Sequence, residues 1–344
     1  MSYICDVGVG NLVFKRWECL VVMDIHICNS VEFEKVKVWK DAIPLTRKRM
    51  SIQQLLDSGE DNDMLKNQLE IYVKDFDKVL QLIVLERHQP LENHPNFSWS
   101  IGSEHVSSPC WKFEAVLARL ALANIYIEEG SHILENMIKG DEEKKISGDE
   151  EKDNTEESYK SSSRLYMKAI ELHQQIINHL ENWKWKLPEM NQYFFQQQWN
   201  QATISHLQTL RHLNMISVGI DKNLSSKSLE KLAQRSVQSA AMTIVHWPDA
   251  WPNILPLCEY MRYYFSANSL WSQEKYGASI QRMKMWLVNN KPEVSHYRFK
   301  SIEEEMEKVD FLFKERERIN NGAYFDVIEE DSNLKTTVHL IQNM

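Results

Sequence analysis

The sequence predicts a mainly α-helical protein built from long antiparallel helices in hairpins. Among its 344 residues are only 10 glycines and 9 prolines, a composition that favours helices over an all-β architecture. Apolar residues recur at spacings of three and four over most of the chain, the period of a helix with one buried face. Aromatic residues make up 10% of the chain, and this much aromatic surface requires extensive packing.

The first 45 residues form a different, β-rich lead. They are rich in Val, Ile, Phe and Trp and include alternating pieces such as 36–39, which are typical of one to three short strands. The apolar stretch 19–28 is interrupted by Asp24 and His26 and is too short to span a membrane. We interpret it as a buried strand.

The first helices occupy residues 46–139. Apolar residues at helical spacing over 65–83 predict a helix that ends near His88, before an irregular, proline-rich connection over 89–110. Pro109 suits the first turn of the next helix, whose apolar face begins at Phe113.

An acidic segment follows at residues 140–158. It holds nine acidic and three basic residues, and so carries −6 of the chain's formal charge of −9. The pattern Gly-Asp-Glu-Glu-Lys occurs twice within it, and its apolar surface is too small to fold. We predict a disordered surface loop here.

Helical hairpins are predicted over 159–319, and the segment 320–344 is expected to pack back on the body. Within this region, Gly277 falls inside a helix predicted from Pro256 to about Asn289. Glycine inside a helix costs roughly 1 kcal/mol relative to alanine, which indicates close approach of a neighbouring helix. The other predicted helices cover 165–183, 190–218, 226–245 and 302–319.

Several classes of function are not supported by the sequence. The acidic balance disfavours nucleic-acid binding, and five cysteines without a Cys-x-x-Cys pair argue against a disulfide framework or a zinc ribbon and fit a reducing, cytosolic setting. There is no glycine-rich phosphate loop, no His-Glu-x-x-His and no Gly-x-Ser-x-Gly. We therefore predict no catalytic residue, no metal site and no cofactor, and interpret His88 and His94 as surface residues.

Four motifs resemble those of the BRO1 domain, an all-helical endosomal-targeting module. Residues 275–283 resemble its Lys-Tyr/Phe-Gly-x-x-Ile-x-Arg-Leu motif, and residues 97–99 with 107–114 are similar to its Phe-x-Trp and Ser-Ser-x-x-x-Phe-Glu elements. The residues that carry these two matches are Phe97, Trp99, Phe113, Glu114, Tyr276, Gly277, Ile280 and Arg282.

The other two motifs match the family less closely. Residues 229–236 resemble its Ile-x-Lys-Leu-Ala-x-Gln-Ala helix, with Arg235 and Ser236 in place of the final Gln and Ala. Residues 310–313 resemble Asp-Asn/Phe-x-Ile-Tyr, but Arg-Glu-Arg at 316–318 stands where the family has Val-Pro. All four matches follow the family order.

The resemblance implies a single BRO1-like domain over 1–344, a curved, boomerang-shaped bundle with tetratricopeptide-like hairpins. It implies a non-enzymatic adaptor that binds the C-terminal amphipathic helix of an ESCRT-III subunit in endosomal sorting, multivesicular-body protein transport or membrane remodelling. Such a protein is cytoplasmic, with peripheral recruitment to endosomes and indirect or weak membrane association. The alternative is a BRO1-fold scaffold that binds a different peptide or protein client.

The resemblance also implies a partner-binding patch. It would include Met215, Leu229, Leu232 and Leu334, with Ser228 at a position where many family members have a larger aliphatic residue. Leu229 and Leu232 are three residues apart, so both can face one groove. An interpretation of Met215, Leu229 and Leu232 as ordinary core residues stays open.

Overall fold

A computed structural model confirms the mainly helical fold. It describes residues 44–45, 47–55, 62–85, 97–101, 104–108, 111–147, 155–181, 195–248, 251, 254–287, 292, 299–326 and 328. The predicted β-rich lead over 1–45 lies almost entirely outside these residues.

The described elements follow one another as helices interrupted by a single hairpin in this part of the chain. They are α1 (47–55), α2 (Asn62–Leu85), β1 (Phe97–Ile101), β2 (Glu104–Ser108), α3 (Trp111–Ser147), α4 (Thr155–Glu181), α5 (Gln197–Asp221), α6 (Ser226–His246), α7 (Ile254–Ser272), α8 (Tyr276–Arg282), a π-helical turn (Met283–Leu287), α9 (Lys300–Glu307), α10 (Val309–Ile319) and a second π-helical turn (Asn320–Tyr324).

The β-hairpin replaces the irregular connection predicted over 89–110. Strands β1 and β2 pair antiparallel, with Phe97 opposite Ser108 and Trp99 opposite Val106. Residues 97–101 alternate apolar and serine side chains, the period-two pattern of a strand. The prolines that favoured an irregular segment all lie outside the two strands, so the prediction was wrong for this part of it.

The described residues fall into two compact units, the first of which contains 44–128 and 168–201. Its centre is the carboxylate of Glu114, which is completely buried. This carboxylate accepts hydrogen bonds from Arg49 Nε (2.6 Å), Tyr72 Oη (2.7 Å) and Trp99 Nε1 (2.6 Å). Glu114 therefore joins α1, α2, β1 and α3 at one point.

Helix α3 is longer than predicted, because it continues to Ser147. The acidic segment 140–158 is therefore helical at 140–147, and it is helical again from Thr155, where α4 begins. The prediction of a disordered loop was wrong at these two ends, and 148–154 lie outside the described residues. Glu and Lys have high helix propensity, so α3 extends without an apolar pattern.

The second unit contains 129–167 and the described residues from 202 onward. A close approach of α3 and α4 occurs at Gly130, where an added Cβ would lie 2.8 Å from Tyr166 Cε1 and 3.4 Å from the Ser162 carbonyl oxygen. Tyr166 is fully buried. Here the missing side chain allows the two helices to pack.

The helix predicted from Pro256 to Asn289 is interrupted. Helix α7 ends at Ser272 and α8 begins at Tyr276, so Gly277 is the second residue of a new helix rather than the middle of an old one. The prediction of one continuous helix was therefore wrong.

The cause of the break is a helix-ending turn that the apolar period does not encode. Glu274 adopts a left-handed conformation with φ of 63°, and Lys275 N–H donates to the Leu270 carbonyl oxygen at 3.0 Å. This six-to-one hydrogen bond is the mark of a Schellman-type helix terminus. Glycine usually occupies such a left-handed position, and its absence conceals the break in the sequence.

The start of α8 is capped by the end of the described chain. The Asp326 carboxylate accepts hydrogen bonds from the backbone N–H groups of Tyr276 (3.1 Å) and Gly277 (3.4 Å). The ring of Tyr324 stacks on that of Tyr276 with 3.8 Å between centroids. Gly277 thus lies in the capped first turn of α8, and it is the backbone N–H of Gly277 that bonds to the Asp326 carboxylate.

Arg316, which stands where the family has Val-Pro, is largely buried between helices. Its Nη2 donates to Asn268 Oδ1 at 2.6 Å and its Nη1 to Ser279 Oγ at 3.3 Å, and the guanidinium lies 5.0 Å from the Trp271 ring centroid. This residue therefore holds α10 against α7 and α8 in this sequence.

The Glu114 cluster gives a first prediction. Glu114→Gln should lower the free energy of unfolding by about 3–5 kcal/mol, because Arg49 would stay buried without its carboxylate. Urea denaturation measures the difference. The matched control is Glu157→Gln, which removes an exposed ion pair with Arg164 and should change stability by about 0–1 kcal/mol. A loss at Glu114 as small as that of the control would contradict the central role of this carboxylate.

The contact at Gly130 gives a second prediction. Gly130→Ala should destabilise the protein by about 1–3 kcal/mol, although alanine is the better helix former, because the methyl group would overlap the Tyr166 ring. Thermal unfolding followed by circular dichroism measures the effect. Gly322→Ala is the control, since an added Cβ there meets nothing within 4 Å. Equal stability of the two variants would show that α3 and α4 separate easily.

Candidate partner-binding surface

Four of the five residues of the predicted patch lie on α5 and α6, whereas Leu334 lies outside the described residues. Met215 is on α5 and is 46% exposed. Ser228 is exposed in the first turn of α6, where its N–H donates to the Ser225 hydroxyl at 3.3 Å. Leu232 is half-buried one turn later.

Leu229 is a buried residue in this structure, in agreement with its interpretation as an ordinary core residue, which the sequence left open. It is only 5% exposed. Its Cδ2 lies 2.7 Å from the position that a Cβ on Gly219 would occupy, which shows that the leucine packs against the backbone of α5. Side chains three residues apart on a helix differ by about 60° in direction. For this reason Leu229 is buried against α5, whereas Leu232 is half-buried.

Helices α5 and α6 run antiparallel, and two contacts between them show which residues of the two helices lie opposite one another. Gly219 lies against Leu229, and His212 Nδ1 lies 3.5 Å from Ser239 Oγ. Met215 is midway between Gly219 and His212 on α5. The antiparallel register therefore brings Met215 to the level of residues 233–236 on α6, just after Leu232.

Helix α4 packs on the other side of α5. Arg211 Nη1 lies 3.6 Å from Met167 Sδ, and Asn214 Nδ2 lies 3.2 Å from Ser163 Oγ. The exposed stripe of α5 that contains Met215 is therefore flanked by α4 and α6. We call this region the α4–α6 surface and define it by Met167, Arg211, His212, Met215, Leu232 and Arg235.

The part of this surface that α5 and α6 form is basic in an acidic protein, whereas α4 carries four acidic residues against three lysines and arginines. Helices α5 and α6 together carry four basic and two acidic residues, whereas the whole chain has a formal charge of −9. Asp221, one of the two acids, accepts a hydrogen bond from Ser301. Glu230, the other, is two positions from Leu232, and residues two apart do not share a helix face.

The positive charges of Arg211 and Arg235 both influence the pKa of His212. Burial, then Arg211 and Arg235, lower the pKa of this histidine from its ordinary value. The two arginines therefore lie near the same side chain although they belong to different helices. Sequence reasoning assigned neither to the patch, but the run 197–220 without a single acid was a visible signal.

The other residues of the sequence motifs lie outside the α4–α6 surface, and most of them contribute to packing. Phe113 and Ile280 are fully buried, and the Phe113 ring lies 5.6 Å from that of Phe195. Arg282 donates a hydrogen bond to the Ser266 hydroxyl. Phe97 opens β1, as described above. Phe113, Ile280 and Arg282 therefore hold helices together.

Burial explains the strongly shifted histidines elsewhere in the described chain. It lowers the pKa of His173 to about 4 and that of His206 to about 3. Within the same residues, no group of three or more His, Cys, Asp or Glu side chains is placed to hold a metal ion. A separate search of the described helices finds none long and apolar enough to cross a membrane.

Comparison with solved structures identifies the fold. A complex of the ALIX BRO1 domain with CHMP4C superposes with a TM-score of 0.61 at 12% identity, covering 91% of this chain and 86% of that one. ALIX in complex with the SIVmac239 late domain PYKEVTEDL superposes with a TM-score of 0.60 at 13% identity, covering 86% of this chain and 42% of that one. No protein-family model and no curated protein matches.

The chain therefore has a BRO1-like fold, which confirms the expectation from the four motifs. The agreement is in backbone structure, because the identity is only 12–13%. The single-domain boundaries and the partner-binding residues stay predictions.

Glu128, on α3, gives a prediction for the dependence of stability on pH. Burial raises its pKa to about 7, so the folded state holds this proton more tightly than the unfolded state does. Its contribution to stability is therefore present at low pH and is lost as the pH rises from about 4.5 to 7.

Glu128→Gln should consequently stabilise the protein by about 1–2 kcal/mol at pH 8. This is less than the free energy that corresponds to the whole pKa shift, because the carboxyl group is partly exposed to solvent. Below pH 4.5 the substitution should have little effect on stability. Urea denaturation across this pH range measures both. Glu171→Gln, at an exposed position of α4, is the control. A stabilisation by Glu128→Gln that is equal at pH 4 and pH 8 would contradict the assignment.

Proposed function

We propose that this protein is a non-enzymatic adaptor that binds an amphipathic helix of an ESCRT-III subunit on its α4–α6 surface. The observation that carries the proposal is Met215, a half-exposed methionine on the stripe of α5 between two flanking helices. Methionine is common at surfaces that accept apolar side chains of varied shape. Helix-in-groove recognition requires such an apolar stripe.

Two further facts support the proposal. The fold is that of the ALIX BRO1 domain, which has been solved in complex with CHMP4C. In addition, Leu232 is a half-buried leucine on α6 close to the level of Met215, and it adds apolar surface on the side of α6. Both residues belong to the patch implied by the sequence motifs.

The energetics fit a modest affinity. Each apolar side chain that the partner buries contributes about 1.5–3 kcal/mol before ordering costs. With Leu229 in the core, the surface offers Met215, Leu232 and the Met167 side chain, so two or three partner residues can be accommodated. We expect a dissociation constant of about 1–100 μM.

A role of this kind places the protein in the cytoplasm, with recruitment to endosomes through its partner. Membrane association is then indirect. Sorting of cargo and remodelling of the endosomal membrane are the processes in which such an adaptor acts.

The proposal predicts saturable binding of a labelled CHMP4C C-terminal helix. Fluorescence anisotropy should give a dissociation constant below about 100 μM for the wild type and an increase of about tenfold or more for Met215→Asp, because the aspartate places a charge on the apolar stripe. Met64→Asp, at a 53% exposed methionine of α2, is the matched control and should bind as the wild type does.

Absence of saturable binding by the wild type would remove the ESCRT-III proposal. The second candidate function, a BRO1-fold scaffold for a different client, is favoured by the exposed Ser228 and the buried Leu229, which leave the surface shallower than the motifs imply. A client that binds the wild type and Met64→Asp but not Met215→Asp would support this second function.

A further inference from the structure

Asn321 and Gly322 form the one Asn-Gly pair of the sequence. In such a pair the backbone nitrogen of the glycine can attack the side-chain amide carbon of the asparagine, because glycine has no Cβ to obstruct the approach. A bond forms between Gly322 N and Asn321 Cγ, the Cγ–Nδ2 bond breaks, and the amide nitrogen leaves as ammonia. Water then opens the five-membered imide at either carbonyl, which yields aspartate or isoaspartate.

The structure leaves both residues of this pair open to solvent. Asn321 and Gly322 are exposed, and a Cβ built on Gly322 would meet nothing within 4 Å. No side chain of another described residue forms a hydrogen bond with the Asn321 amide. In this part of the chain, therefore, neither packing nor a side-chain partner shields the reacting amide.

The neighbouring Asn320 is protected, although it lies in the same turn. Its side chain is almost fully buried, its Nδ2 donates to the Asp326 carbonyl oxygen at 3.0 Å, and its Oδ1 accepts from the Asp326 N–H at 3.1 Å. Asn223 is exposed but is followed by Leu224, whose branched side chain obstructs attack. Exposure and a following glycine occur together at Asn321.

The pair lies in a turn that can open without unfolding a long helix. Inside a continuous helix ring closure is hindered, because a ψ of about −42° keeps the side-chain amide away from the next backbone nitrogen. Here the pair belongs to the π-helical turn Asn320–Tyr324, which is followed by Phe325 in a left-handed conformation with φ of 57°. Residues 321–326 are all exposed. Short terminal turns of this kind open at a lower free-energy cost than helix interiors.

The modification would act on the cap of α8. Asn320 holds Asp326 through the two side-chain hydrogen bonds, and its carbonyl oxygen accepts from the Phe325 N–H at 2.7 Å. We call residues 320–326 the clasp. Isoaspartate at position 321 adds one main-chain carbon to the clasp, and its negative charge lies at a helix C-terminus, where the helix dipole disfavours it. Both effects loosen the hold on Asp326.

We propose that Asn321 is a site of spontaneous deamidation, and that its isoaspartate product releases the Asp326 cap from α8. The reaction consumes only water and needs no enzyme. The inference does not depend on the adaptor proposal, since none of its residues belongs to the α4–α6 surface.

Mass spectrometry of the protein after incubation at neutral pH measures the reaction. The wild type should convert the Asn321 amide to a carboxyl group at least about tenfold faster than the exposed Asn223 amide. The rate should rise about tenfold per pH unit from pH 7 to pH 9, because the attacking backbone nitrogen must first lose its proton. Digestion with a protease that cleaves at aspartate but not at isoaspartate separates the two products.

Gly322→Ala is the matched variant, because its methyl group obstructs the attack but meets no other atom in the folded protein. It should slow deamidation of Asn321 about tenfold or more. Equal rates for the wild type and Gly322→Ala would overturn the proposed reaction.

A comparison of native and urea-unfolded wild type needs no variant. The native rate should lie within about tenfold of the unfolded rate, because the clasp opens locally. A larger difference would show that the turn protects Asn321, and would overturn the assignment of the site.

Hydrogen exchange at the Tyr276 and Gly277 amides, the two donors that Asp326 caps, measures the consequence. Their exchange should be about tenfold faster in incubated wild type than in fresh protein, whereas incubated Gly322→Ala should keep its protection. Fresh Asp326→Ala gives the exchange rate of the uncapped helix and should match the deamidated protein. Full protection of both amides in protein that carries isoaspartate would overturn the release of the cap.

Discussion

The buried carboxylate of Glu114 is the interaction on which the first unit depends. A desolvated charge is costly unless it is paired and fully hydrogen-bonded, and here an arginine, a tyrosine and an indole N–H converge on it. These donors come from three elements that are distant in sequence. Glu114 also belongs to a sequence motif that resembles the BRO1 domain, so the motif marks a structural charge and not a binding site.

Most of the fold could be predicted from the sequence because long helices with one buried face repeat their apolar residues at a fixed period. The predicted bounds for α6 lie within a residue of the observed ones, whereas α4 begins ten residues before Leu165, where its apolar period becomes visible. The missed features are those that depend on a few residues. The turn between α7 and α8 uses a non-glycine residue with positive φ, and the hairpin strands of five residues each are too short for a strong pattern.

The candidate site was predictable as a region but not residue by residue. The motif located the start of α6, but helical spacing alone could not decide whether Leu229 or Met215 faces solvent. That distinction depends on Gly219, which opens space for Leu229 on the neighbouring helix. The arginines were missed for a related reason, since a lone basic residue is usually a solvated one, and only the packing shows that Arg211 and Arg235 flank the same stripe.

The cap that Asp326 forms on α8 links the end of the second unit to an earlier part of the chain. The capping residue lies 50 residues after Tyr276, so this contact is strongly non-local. Non-local contacts form late because a long loop must close first. During synthesis the start of α8 therefore has its backbone donors uncapped until Asp326 has emerged from the ribosome.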